Sequence, residues 1–276
     1  MYDFKGKVAV ITGGASGIGF ALAERLAGLG CHIALADVEA AALSEAAERL
    51  RRPGTEVLAV PTDVAAESDV LGLADAVFNR FGHVHLLFNN AGVTLIKPLS
   101  ETEINDWKWL LGVNLWGAIH GISAFLPRME RQGQEARIIN TASIAGLAAL
   151  PGVSAYGASK HAVVAITETL QKELSYTGSN VRNALLCPSY VNTRIGTSER
   201  NRPGMYKTRP GTATPRNPTL GSSAGGGGIE AGDVVDWVIE AIHADRFYIF
   251  PPGPQLRGVE KRFQRILRAA ASKPEP

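Results

Sequence analysis

Seven short runs of almost unbroken apolar sequence, each separated from the next by a longer stretch, constrain this chain more than any other feature. The runs are KVAVIT (7–12), HIALAD (32–37), EVLAVPTD (56–63), VHLLFNNAG (84–92), ARIINTAS (136–143), VRNALLCP (181–188) and RFYIFPP (246–252). A strand with one wet face alternates apolar and polar residues, whereas a strand without alternation is buried on both faces. Helices are expected between them from about Ile18 to Leu29, near 40–51, near 67–81, over a long span near 101–131, and around Tyr156. Doubly buried strands that alternate with helices form a parallel sheet covered on both sides. The expectation is an α/β fold over 1–276, a single doubly wound domain of about seven strands.

The junction of the first run with the first helix reads VAVITGGASGIGFALAERL, with glycines at 13, 14, 17 and 19. Gly13 can take turn dihedrals closed to other residues. Gly17 lets the backbone approach a ligand, and Gly19 lets the helix pack closely on the strand. The helix start then offers free N–H groups and the positive end of its dipole to a pyrophosphate. In this strand–turn–helix context the pattern predicts a Rossmann-type dinucleotide site, with Ser16 and Ile18 completing the turn.

Asp37 ends the second run, where a carboxylate can accept hydrogen bonds from both ribose hydroxyls of an adenosine. A 2′-phosphate there would be repelled, and Val38 follows rather than an Arg or Lys, so NAD is expected over NADP. Asp37 as a cap on the next helix is the plainer role, and it does not exclude ribose binding. Asn89 to Gly92 (NNAG) end the fourth run, and small residues there leave room for a cofactor across the strand ends.

Other function classes find little support. The chain of 276 residues is 45% hydrophobic and 20% charged, ample for one core. Its net charge of +2 gives no reason to expect nucleic acid. Cys31 and Cys187 sit in sequence that reads as buried strand or strand edge, as apolar fillers rather than a disulfide or metal pair. His83 and His85 have no Cys or acidic partner at a metal-like spacing, so no metal is expected. The N-terminal MYDFKGKVAVITGG is unlike a signal peptide. No stretch reaches the roughly 18 apolar residues that span a bilayer. An intracellular, cytoplasmic protein with no membrane partner is expected.

The segment YGASK puts the phenol of Tyr156 and the ammonium of Lys160 four residues apart, on one face if the region is helical. Alone the pair proves little. In company with TGGASGIG (12–19), NNAG (89–92), Asn114 in GVNLWG and Ser143 in NTASIAG, it completes five ordered motifs. Over roughly residues 5–195 the chain therefore resembles the short-chain dehydrogenase/reductase family.

The resemblance implies an oxidoreductase in which Tyr156 is the acid–base group. Free tyrosine has a pKa of about 10, too high for a base near neutrality. The Lys160 ammonium and a positively polarised nicotinamide would lower it. Lys160 would also bond the nicotinamide ribose, Ser143 would hold the substrate oxygen, and Asn114 would hold a water linking Lys160 to solvent. Asp63 and Val64 would lie at the adenine, Asn90, Ala91 and Gly92 along the dinucleotide, and Pro188, Val191 and Thr193 at the nicotinamide. Two positions depart from the family pattern. Ala142 stands before Ser143 where another Ser is common, and Ser189 replaces the glycine that usually follows Pro188. That turn must then be one a non-glycine residue can adopt.

Residues 196–232, rich in Gly, Pro, Ser and Thr, read as a long substrate loop inside the domain. Its Arg200, Arg202, Lys207, Arg209 and Arg216 read as a solvated basic face. Ile144, Leu147, Leu150, Tyr190 and Met205 are expected to line an apolar pocket for a bulky secondary alcohol or ketone. The helix near Trp107 to Met129 is apolar on more than one face, which predicts a homodimer or homotetramer. Residues 255–276 form a basic amphipathic extension, with Leu256, Val259, Phe263, Ile266, Leu267 and Ala270 as its stripe, expected to dock on this subunit or a neighbour. The competing readings are an NADP-dependent carbonyl reductase and a non-catalytic dinucleotide-binding regulator.

Overall fold

Alternation along each strand divides the interior into two apolar layers. In β1 (Val8–Thr12), Ala9 and Ile11 pack to one side of the sheet, and Val8 and Val10 to the other. In β2 (His32–Asp37), Ile33 and Leu35 join the first layer, and Ala34 and Ala36 the second. Both faces are thus apolar, as a covered parallel sheet requires.

The computed structural model describes residues 1–207, 228–252 and 256–271. Arg209, Arg216 and the glycines 225–227 of the expected loop lie outside them, as does the chain beyond residue 271. The remaining strands are β3 (Val57–Pro61), β4 (Leu86–Asn89), β5 (Ala136–Thr141), β6 (Val181–Leu186) and β7 (Tyr248–Ile249). All seven are parallel, in the order β3-β2-β1-β4-β5-β6-β7. The order reverses between β1 and β4, the switch point where open α/β sheets bind ligands. The short β7 pairs through only two residues and is followed by Pro251 and Pro252, which cannot donate to a ladder.

Helices α1 (Gly17–Gly28), α2 (Ala40–Leu50) and α7 (Ala231–Ala244) cover the first layer. Helices α3 (Glu67–Phe81), α5 (Gly117–Arg131) and α6 (Ser154–Thr177) cover the second. The span expected near 101–131 is α4 (Ile104–Leu111), a π-type turn over Gly112–Trp116, and α5. By length and composition this continuous run of 28 residues, Ile104–Arg131, could cross a bilayer, against the expectation from unbroken apolar runs. It is instead the helix against the sheet, with Phe125 and Met129 wholly buried in the second layer.

The end of the chain touches this subunit at few points. Helix α8 (Leu256–Ala271) has no buried residue. Its attachment to this subunit runs through Val259, packed with Leu147 and Val163, and through Arg262, whose Nη1 donates to the Leu147 carbonyl at 3.2 Å. Phe263, Ile266 and Leu267 stay exposed.

Close approach of α1 to β1 depends on Gly19, where a Cβ would lie 2.1 Å from the Gly13 oxygen and 2.7 Å from Asn90 Nδ2. Gly72 in α3 has nothing within 4 Å of its Cβ position. Gly19→Ala should lose about 1–3 kcal/mol in urea denaturation, while Gly72→Ala should gain about 0.5–1 kcal/mol. Equal midpoints for the two variants would show that α1 can back away from the turn without cost.

Candidate active site

The carboxyl ends of the strands open on a cavity of about 1270 Å³. Every residue expected at the site lines it except Gly19 and Asn114. At one end stand Gly13, Ser16, Gly17 and Ile18 of the glycine turn, with Asp37, Asp63 and Val64 beside them. Ser143, Tyr156 and Lys160 stand at the other end, Pro188 and Val191 also line the cavity, and Thr193 lies against the glycine turn, its Cγ2 3.1 Å from where a Cβ on Gly17 would be. Asn90, Ala91 and Gly92 lie between.

Hydrogen bonds shape the first end. Gly13 adopts a φ of +64, and a Cβ there would come within 2.9 Å of Ala91 Cα. Asp37 Oδ2 accepts from Ala15 N at 3.0 Å, and its Oδ1 accepts from Glu39 N at 3.0 Å. Asp37 therefore ties the glycine turn to the end of β2 rather than serving only as a helix cap. Ser16 at the start of α1 makes no side-chain cap bond, and no acidic residue occupies the first turn. That helix end is available to an anion.

At the second end, Tyr156 and Lys160 lie one turn apart on α6. The Lys160 Nζ donates to the Thr141 carbonyl at 2.7 Å and sits 5.9 Å from the Tyr156 ring centre. Ser143 begins the short 3₁₀ turn Ile144–Gly146, and its Oγ accepts from Ala145 N at 3.2 Å. That turn packs on α6 closely enough that a Cβ on Gly146 would lie 2.7 Å from the Lys160 carbonyl oxygen. Ser143 is thereby held near the tyrosine, and its Oγ also donates to the Pro188 carbonyl at 3.4 Å.

Burial, not Lys160, dominates the proton affinity of Tyr156. It pushes the phenol above its ordinary value, and the Ser143 hydroxyl pulls only partly back. The expected lowering by Lys160 is therefore not a property of the chain's own groups. Burial also pulls Lys160 down to about 8. The thiol of Cys187 nearby is pushed by burial to about 12, so both free cysteines remain apolar fillers.

Asn114 does not line the cavity. It lies in the π-type turn, where Oδ1 accepts from Val93 N at 2.8 Å, and Nδ2 donates to Val93 O and to Ser159 Oγ, each at 3.0 Å. Its neighbour toward the site is Gly92, whose missing Cβ would lie 3.4 Å from Asn114 Oδ1 and 3.5 Å from Lys160 Nζ. The direct contacts of Asn114 are thus a brace between β4 and α6, one glycine away from the lysine. Such turns inside helices commonly mark functional sites.

The expected pocket residues divide. Ile144, Leu150, Tyr190 and Met205 line the cavity, but Leu147 turns into the core with Val163 and Cys187. Trp109, Val153 and Tyr206 line it without having been singled out in the sequence. Ser189 follows Pro188 without strain, since Asp245 is the only non-glycine residue with positive φ among the described residues.

The first part of the expected loop is ordered in 3₁₀ turns, Arg194–Asn201 and Gly204–Tyr206. Among its described basic residues, Lys207 is exposed as expected, whereas Arg200 and Arg202 are tied to acidic partners. Arg202 is buried over Trp109 and donates to Asp106 at 2.5 Å, and Asp106 also receives Lys97 at 3.2 Å. Burial alone would raise the Asp106 pKa, but the bonds from Arg202, the Glu103 N–H and Lys97 outweigh it and hold it low. Ser198 Oγ accepts from Thr94 N and donates to Thr94 O. Arg194, Arg200 and Asn201 all donate to Glu39. An acid on the apolar stripe of α4, beside Trp109 and Leu110, was the one sequence signal of the Asp106 cluster.

The pH dependence of Lys160 has a definite sign. Between about 8 and its ordinary 10.5, the unfolded chain holds a proton that the folded chain has lost. Stability therefore rises with pH through that window. Lys160→Met cannot titrate, so the urea midpoint of wild type relative to this variant should climb from about pH 7.5 to about pH 9.5. A flat or falling difference would show that Lys160 keeps its ordinary proton affinity.

Comparison with known proteins agrees with this geometry. The model of the short chain dehydrogenase family matches residues 7–204. A short chain dehydrogenase/reductase from Burkholderia phymatum, solved in complex with NAD, is 43% identical, with a TM-score of 0.92 over 100% of this chain and 99% of its own. The 1-deoxy-11-beta-hydroxypentalenate dehydrogenase of Streptomyces avermitilis is 36% identical over 95% of this chain and 91% of its own length. An alcohol dehydrogenase from the archaeon Thermococcus sibiricus, solved with 5-hydroxy-NADP, is 27% identical, with a TM-score of 0.73 over 89% of this chain and 96% of its own. The chain belongs to the short-chain dehydrogenase/reductase family of oxidoreductases.

Proposed function

We propose that this protein is an NAD-dependent dehydrogenase or ketoreductase acting on a fairly bulky, hydrophobic secondary alcohol or ketone. The observation that carries this reading is one continuous cavity with Asp37 and the glycine turn at one end and Ser143, Tyr156 and Lys160 at the other. The residues fit a dinucleotide. A Cβ on Gly13 would fill the cradle, α1 offers an uncapped start, and Asp37 stands where it can bond ribose hydroxyls and repel a 2′-phosphate. Bound there, a nicotinamide would accept hydride from the substrate carbon or donate it.

The chain's own groups manage the proton. Tyr156 Oη gives its proton to a carbonyl oxygen in reduction, and takes one from a hydroxyl in oxidation. Its burial favours the protonated phenol, which suits the donor role. Ser143 Oγ, which lines the same cavity as the phenol, holds the substrate oxygen and steadies its developing charge. Lys160 Nζ, anchored on the Thr141 carbonyl, supplies positive potential beneath Tyr156 and a donor for the nicotinamide ribose. Asn114, bonded to the Val93 backbone and to Ser159 Oγ of α6, keeps the segment after Gly92 in place beside that ammonium. Ile144, Leu150, Trp109, Met205 and Tyr206 give the substrate end its apolar walls. The exposed Ile104 and Trp116 on the α4–α5 run support a homodimer or homotetramer through that face.

Thermal shift with NAD⁺ and NADP⁺ at equal concentration tests the cofactor, because stabilisation follows affinity for the folded state. NAD⁺ should give the larger shift, and the reverse would overturn the role assigned to Asp37. Tyr156→Phe should then lose about 10²- to 10⁴-fold in kcat on the best secondary alcohol of a panel. Its NAD⁺ shift should be unchanged. Absence of wild-type turnover across the panel, with NAD⁺ bound, would favour a non-catalytic regulator instead.

A further inference from the structure

Two guanidinium groups reach the adenosine end of the cavity from a distant part of the chain. Arg194 and Arg200 lie in the 3₁₀ segment after β6, and both line the same cavity as Asp37. Glu39, two residues beyond Asp37, engages both. Its Oε1 accepts from Arg200 Nη2 at 2.6 Å and Nε at 3.1 Å, and from Asn201 Nδ2 at 2.9 Å. Its Oε2 accepts from Arg194 Nη2 at 3.2 Å. The Arg200 bond, with help from Asn201 and Arg194, holds the Glu39 carboxyl at about 2, against the opposing pull of burial.

A pair of arginines beside the adenosine ribose is the usual equipment for gripping a phosphate, because the guanidinium fork matches its oxygens. Here both forks are turned onto a carboxylate. We propose that Glu39 is a cofactor-specificity residue: by occupying Arg194 and Arg200 it withholds them from a 2′-phosphate on the adenosine ribose. The inference rests on the NAD reading above and deepens it. Rejection of the phosphorylated cofactor then has two parts, repulsion by Asp37 and masking of two cations by Glu39. Removing Glu39 releases Arg194 Nη2 and the Nε and Nη2 of Arg200, while Arg200 Nη1 stays on the Arg194 and Thr197 carbonyls, and it shifts the local balance from two cations against two carboxylates to two against one. Glu39 acts only through the arginines, so it is a positioning residue.

The masking role makes a different demand from a merely structural clasp. If Glu39 only fastens the 194–201 segment, its loss weakens NAD⁺ and NADP⁺ alike. If it masks the arginines, its loss favours NADP⁺ selectively. The test is isothermal titration of both cofactors with wild type, Glu39→Gln, and Glu39→Gln combined with Arg194→Gln and Arg200→Gln. In Glu39→Gln, NADP⁺ should bind about tenfold more tightly, a gain carried by charge-assisted bonds. NAD⁺ should change by less than about threefold, the gain should shrink at higher salt, and the triple variant should lose it. Glu39→Ala serves as the second variant should the first fail to fold, as judged by circular dichroism. No selective gain for NADP⁺ in a folded variant would overturn the proposal while leaving the NAD reading intact. A gain that persists in the triple variant would also overturn it, since charge removal alone would then suffice. Wild type preferring NADP⁺ would defeat the NAD reading itself, and the masking with it.

Discussion

A single hydroxyl holds open the crevice on which the rest of the site depends. Thr12, the last residue of β1, donates to the Phe88 carbonyl and accepts from Asn90 N at 3.0 Å and Ala91 N at 3.1 Å. The Asn90 side chain returns the link by donating to the Thr12 carbonyl at 3.1 Å. Strands β1 and β4 are neighbours in space because the sheet order reverses between them, so no helix covers their shared end. These bonds satisfy the buried backbone there without filling the gap above it. Asp37 extends the arrangement to β2 through the Ala15 N–H. The glycine turn, the strand ends and the acidic residue at the ribose position are therefore one hydrogen-bonded unit.

The catalytic end follows a different logic, in which burial sets the chemistry. Lys160 is enclosed by α6, β5 and the Gly92 loop, and its Nζ donates to the Thr141 carbonyl. That environment lowers its proton affinity and raises that of Tyr156. The two groups, close in proton affinity in water, are thus pushed apart in the fold, with Tyr156 the one that holds its proton. Ser143 is positioned by a turn that could not approach α6 if Gly146 carried a side chain.

Charged side chains join these two ends across the cavity. The segment after Thr193 is fastened at Glu39 on one side, at Thr94 in the middle, and at Asp106 on the other. The Asp106 tie is buried, with Lys97 and Arg202 both closing on one carboxylate, so breaking it by removing one partner is expensive. The Glu39 tie is more exposed, and salt and solvent weaken it. The segment is accordingly anchored firmly beside the substrate pocket and more loosely above the adenosine end.

The amino-acid sequence by itself determined the sheet, the positions of its strands, the glycine turn, and the pairing of Tyr156 with Lys160. Those features are written in local patterns: unbroken apolar runs, glycines at a strand–helix junction, and a spacing of one helical turn. Only the tertiary structure decided which side chains meet across long separations. Glu39 and Arg200 stand 161 positions apart, and Asp106 and Arg202 stand 96 apart, so no local pattern marks either pair. The same reason accounts for Arg200 and Arg202 being tied to acidic partners, for Leu147 turning into the core, and for Asn114 bracing the end of β4 and α6. Proton affinities belong to this second class as well. They depend on how much water the fold removes from Tyr156 and Lys160, which the folded arrangement alone sets.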